Sequence, residues 1–145
     1  MYKRIVLAYD GSAAGQAALL DCHEIAQWSH ADLTLIAVTP LPLTAIGPEV
    51  GVYDEAIQRH EIQRHQSILD AGVRKLIDDG ITARGELVIG EAVNEIANFA
   101  RRVEADLIVV GHKHLDGWAA RWWRGSVSKA LIEHAPCSVL VVIVR

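Results

Sequence analysis

The chain is 145 residues long, about one domain's worth, with 51% hydrophobic and 22% charged residues; that balance suits a folded globular domain with a substantial core and excludes a disordered chain. Its formal net charge of −4 argues against general nucleic-acid binding, and no apolar run approaches the roughly 20 residues needed to cross a bilayer, so no membrane partner is expected. The opening MYKRIVLAYDGS lacks a signal-peptide layout, and the two cysteines, Cys22 and Cys137, carry no metal-ligand spacing and fit reduced thiols, so a cytoplasmic location is expected.

Residues 3–9, KRIVLAY, predict strand one, ending at Asp10-Gly11-Ser12. Asp10 or Ser12 can cap a helix over 13–29, where Ala17, Leu20, Ile25 and Trp28 roughly follow helical spacing. Strand two covers 33–38. The next stretch, 39–51, holds three prolines and two glycines and reads as a long loop, of the kind that often forms lids. A helix follows over 52–79 with Ile62, Leu69, Val73 and Leu76 as its apolar stripe. Strand three covers 84–89. Gly90-Glu91 opens a helix to about Val103, with Val93, Ile96, Ala97 and Ala100 as its core face. Strand four, 107–110, ends at Gly111; a loop of basic, histidine and tryptophan residues leads to Gly125-Ser126. A last helix, 126–134, is stopped by Pro136, and strand five covers 138–144. The short β-branched runs suit strands buried on both faces.

This alternation predicts one α/β domain over 1–145, a parallel sheet with helices on both faces and right-handed crossovers. In such a sheet a ligand binds beyond the carboxyl ends of the strands, where the strand order reverses. Two ends carry unusual residues: Asp10-Gly11-Ser12 after strand one, and Gly111-His112-Lys113-His114 after strand four. If those strands are neighbours, both ends border one crevice. Asp10 could hold a ribose hydroxyl or a metal, and the glycines with Ser126 could approach phosphates at a helix start. Between Gly111 and Lys129 stand Lys113, Arg121, Arg124 and Lys129 against the single acid Asp116. That excess points to an anionic partner, with solvated loop charges as the alternative.

Other constellations are weaker. Neither G-x-x-x-x-G-K-[ST] nor G-x-G-x-x-G after strand one is present, so neither a P-loop NTPase nor a dinucleotide dehydrogenase is supported. His112 and His114 lack a third ligand for a metal, and His60 and His65 diverge on their helix. Trp118 and Trp122 share a face if that loop is helical, and packing onto the sheet is the expected role. No nucleophile, base and orienting acid occur at recognisable spacing, so an efficient enzyme is not expected. Strand five is apolar and terminal, and such a strand at a sheet edge tends to be covered by a partner.

The segments KRIVLAYDGS, LTLIAV, GEAVNEIANFA, ADLIVVG and RGSVSKALIEHAPCSVLVV together resemble the universal stress protein family over nearly the whole chain. The resemblance implies a five-stranded parallel sheet in order 3-2-1-4-5, a Rossmann-like fold of the adenine nucleotide alpha hydrolase type, and a homodimer through the last strand. It implies a stress-response module. In members that bind ATP, with Mg²⁺, the pattern is G-x-x-G, nine residues, then G-[ST]. Here Gly111-His112-Lys113-His114 is followed by ten residues and Gly125-Ser126. The resemblance therefore assigns the nucleotide to Asp10, Gly11, Ser12, Val38, Gly111, His112, His114, Gly125, Ser126 and Val127, with slow ATP hydrolysis at most. Against it, His114 stands at the second glycine, and GHKHLDGW resembles the loop of members that bind no ATP. The alternative is a dimer that acts through protein contacts alone.

Overall fold

A computed structural model describes residues 1–40, 51–113 and 127–144, the side chains of 51–54 and 127 excepted. The elements run β1 (Arg4–Ala8), α1 (Ala13–Ser29), β2 (Asp32–Thr39), α2 (Gly51–Asp78), β3 (Ala83–Ile89), α3 (Ala92–Arg102), β4 (Leu107–Lys113), α4 (Val127–His134) and β5 (Ser138–Val144). The strands form one parallel sheet in the order β3-β2-β1-β4-β5. The order expected from the resemblance is thus the observed one. The chain builds outward from β1 to β3, then returns across it to β4. β1 and β4 pair side by side, Ile5 with Leu107 through Ala8 with Val110.

Alternation along the strands divides the core in two. Leu7, Leu33, Leu35, Leu107 and Val109 pack against α1 and α2, with Leu69 and Leu76 from the predicted α2 stripe. Val6, Ile36, Ile108 and Val110 face α3 and α4, meeting the predicted α3 residues Val93, Ile96 and Ala100. Each strand of the middle of the sheet is therefore buried on both faces, as its unbroken apolar run requires. β5 differs. It lies at the sheet edge, and Val139 to Val142 are only partly buried.

The buried face of α1 is not the one its large apolar residues mark. Leu20 is 55% exposed and Trp28 82%, while Ala14, Ala18, Leu19, Cys22 and Ala26 are buried. Small side chains let this helix lie close on the sheet, and closeness decides the face. Ser12 caps α1, its hydroxyl accepting from the Gly15 N–H at 3.1 Å. Glu91 caps α3, its carboxylate accepting from the N–H groups of Val93 and Asn94. Among the described residues no helix is long and apolar enough to cross a membrane.

Candidate functional site

The reversal of strand order between β1 and β4 leaves a crevice at their carboxyl ends. Its volume is about 430 Å³, within the range of small-molecule sites. Ala8, Ile36, Val38 and Val110 form an apolar floor from three adjacent strands. Ala92 and Ile96 of α3 close one wall. Asp10, Ser12, His112, Lys113 and Ser128 bring polar groups to it from separate elements. A larger depression of about 630 Å³ lies on α2. Residues of that helix and its end, between Ser67 and Asp79, line it, so no groups converge there from different elements.

The turn after β1 is held by its own side chains. Asp10 Oδ1 accepts from the Ser12 N–H at 3.0 Å and from the Ser12 hydroxyl at 2.6 Å. Gly15 makes room for that carboxylate: a Cβ there would stand 2.7 Å from Asp10 Oδ1. Gly11 has φ +76, a left-handed conformation that favours glycine, and a Cβ would meet Ile68 of α2 at 2.6 Å. Gly11 thus shapes the turn and is not among the residues lining the crevice. Beneath the turn, the Tyr9 hydroxyl accepts from the Gln16 amide at 2.6 Å, and burial pushes its pKa above the ordinary tyrosine value.

At the other side, β4 continues three residues past its predicted end. Gly111, His112 and Lys113 pair with Val142, Ile143 and Val144. His112 therefore belongs to a strand, not to a loop. The pleat turns Gly111 toward α1, where a Cβ would collide with the Ala14 carbonyl and the Gly15 nitrogen. This glycine lets β4 and the first turn of α1 touch backbone to backbone. The alternate position, His112, shares its face with Ile108 and Val110 and reaches the crevice.

Of the residues singled out in the sequence, Asp10, Ser12, Val38, Gly111 and His112 line this one crevice. His114, Gly125 and Ser126 lie outside the described residues, as do Arg121, Arg124, Trp118 and Trp122; Val127 opens α4, and its side chain is not described. Tyr9 and Ser128 were not singled out and also line the crevice. A tyrosine at a strand end reads as core, and a serine one residue inside a helix reads as surface. Only the crossing of elements brings them here. Among the described residues no group of three His, Cys, Asp or Glu side chains could hold a metal ion.

Residues 1–142 match the model of the universal stress protein family. A universal stress protein of Methanocaldococcus jannaschii is 33% identical over 98% of this chain and 82% of its own length. The universal stress protein UspA of Lactobacillus plantarum superposes with a TM-score of 0.81 at 24% identity, over 97% of each chain. A universal stress protein solved in complex with cAMP superposes with a TM-score of 0.70 at 24% identity, over 99% of this chain and 98% of the other.

Proposed function

The chain belongs to the universal stress protein family, and from that premise we propose that its crevice binds an adenine nucleotide and that the protein is a stress-response regulatory module. The observation that carries this reading is the apolar floor at the reversal between β1 and β4, with Asp10 on one rim and the Gly111–Lys113 strand end on the other. The apolar floor, which includes Val38, suits a purine. Asp10 suits a ribose, since its Oδ2 accepts no hydrogen bond from a described residue. Phosphates go to the start of α4, where free N–H groups favour anions, with Gly125, Ser126 and Val127 as donors and His112 and His114 beside them. The relative with cAMP supports an adenine nucleotide in this fold. ATP with Mg²⁺ is the fuller form of the proposal, and binding without efficient catalysis is its function.

Calorimetric titration with Mg-ATP and with AMP at millimolar concentration tests it. Heat and a thermal shift are expected with at least one of them. Their joint absence rejects the reading.

One observation favours a second reading. His114 replaces the second glycine of the ATP pattern, and the spacer to Gly125 is one residue longer. Under it the protein acts as a homodimer through β5 and the pocket is dispensable. His114→Gly then leaves partner binding unchanged, and nucleotide carried through purification of the native protein speaks against it.

A further inference from the structure

A further groove lies on the same face of the sheet as the crevice, at the other end of α3. Ala92 and Ile96 of that helix wall the crevice; Phe99 and the capping Val103 wall a groove of about 340 Å³ over the amino halves of β1, β2 and β3. Thr34 of β2 forms its floor, on the face it shares with Asp32 and Ile36. Arg84 stands directly across from Thr34 on β3, and Glu86 follows two residues on. Thr34 is only 7% exposed, yet its hydroxyl bonds to no described residue, and the strands on either side of it are described throughout. Folded chains seldom leave so buried a polar group without a partner. Among the described residues no side-chain polar atom is both sealed from solvent and unpaired, so this hydroxyl opens on the groove that Thr34 lines. The charges beside it are also unpaired. Arg84, Asp32 and Glu86 make no ion pair with a described residue, whereas Arg4 at the groove's edge pairs with Glu104 at 3.2 Å.

We propose that this groove binds a compact zwitterion, a free α-amino acid with an apolar side chain. Thr34 and Arg84 supply adjacent O–H and N–H donors for the carboxylate, and a guanidinium suits two-point contact with it. The ammonium faces Asp32 and Glu86, the acids that flank that pair. The side chain lies against Phe99 and Val103. A plain anion would meet two unpaired carboxylates, and a plain cation would meet a guanidinium. Only a ligand that carries both charges is matched at every group. The volume, at the small end of the range for ligand sites, suits a molecule of this size. The groove shares no lining residue with the crevice, so the proposal stands apart from the nucleotide reading.

Nuclear magnetic resonance titration of the native protein with L-leucine at millimolar concentration tests it. Isocaproate, which lacks the ammonium, and isoamylamine, which lacks the carboxylate, are the controls. L-leucine is expected to shift the amide resonances of Thr34 and Arg84 and to bind about tenfold or more tightly than either control. Thr34→Val keeps the shape and removes the hydroxyl; it and Arg84→Gln are each expected to weaken L-leucine about tenfold. Arg84 is exposed, so its variant carries the test even where Thr34→Val fails to fold. No shift at Thr34 and Arg84 in the native protein overturns the proposal. Equal binding of L-leucine and isocaproate overturns it too, as does equal binding of L-leucine by the native protein and Arg84→Gln.

Discussion

At the scale of single residues, the glycines carry much of the information. Gly111 is a packing residue: the space its Cβ would need is occupied by backbone of α1, which cannot swing aside as a side chain can. Gly111→Ala should therefore cost about 3 kcal/mol, the upper part of the usual overpacking range. Gly80 is the control. Its φ of +83 disfavours a side chain, yet nothing stands within 4 Å of the Cβ position. Gly80→Ala should cost only about 1 kcal/mol of backbone strain. Urea melts of the two variants check the difference, and equal losses would remove the packing argument. Cys22 offers a second residue-scale prediction. Burial pushes its thiol pKa well above the ordinary value, with the neighbouring Asp21 charge adding to it. The folded state thus holds the proton after the unfolded chain has released it. That contribution is present in full below the thiol's ordinary value and is lost as pH rises from there toward the raised one. Over that window the slope approaches about 1.4 kcal/mol per pH unit. Cys22→Ala should flatten the alkaline loss of stability between about pH 8 and pH 10, with Tyr9 and Cys137, also raised by burial, supplying the remainder. An unchanged slope in the variant would contradict the burial account.

At the scale of elements, caps rather than stripes fix where helices begin. Glu91 closes the start of α3 with both carboxylate oxygens, one on Val93 N–H and one on Asn94 N–H. Glu91→Ala should lower stability by about 1 kcal/mol, the usual cost of a lost N-cap, and the matching drop in urea midpoint without a change of slope would identify it. A null effect would mean that water replaces the carboxylate. The order of elements was legible because β2, β4 and β5 are short runs rich in β-branched residues between breakers, and β3, ARGELVI, is bounded by glycines at Gly80 and Gly90. The buried stripe of α3 was legible because its residues differ sharply in polarity. The face of α1 was not legible: apart from Leu19, its contact with the sheet is made by alanine, glycine and cysteine, which hydropathy scarcely separates from their neighbours. The end of β4 was missed for a related reason. Gly111 reads as a breaker, but here it is a strand residue whose missing side chain admits α1. Asp10 and Gly111 could be assigned to one crevice because a ligand site forms where strand ends meet at a reversal of order, whereas Val38 and the strand order itself came from the family resemblance. Ser128 could not, since its burial depends on how α4 settles against the sheet and α3.

At the scale of the whole molecule, the sheet has two ends, and they are not alike. β3 carries Arg84 and Glu86 exposed along its length, charges that blunt an edge. β5 carries none: its sequence is Ser138 followed by six aliphatic residues, with Ile143 59% exposed. The helices above and below bring further apolar surface. α1 packs against β5 and exposes Trp28, while α4 exposes Ile132. An apolar edge that no described strand covers invites a second copy, because antiparallel pairing of β5 with itself satisfies N–H and C=O groups along that edge by symmetry. Flanking helices would then add side-chain contact toward the roughly 1,000 Å² that a stable interface requires. The homodimer proposed through β5 therefore makes two linked predictions. The native protein should sediment as a dimer with a melting temperature that rises with concentration, and Ile143→Lys should convert it to a monomer without abolishing the fold. A native chain that sediments as a monomer at every concentration rejects the assembly. A dimer untouched by Ile143→Lys, but broken by charges on another surface, would move the interface away from β5.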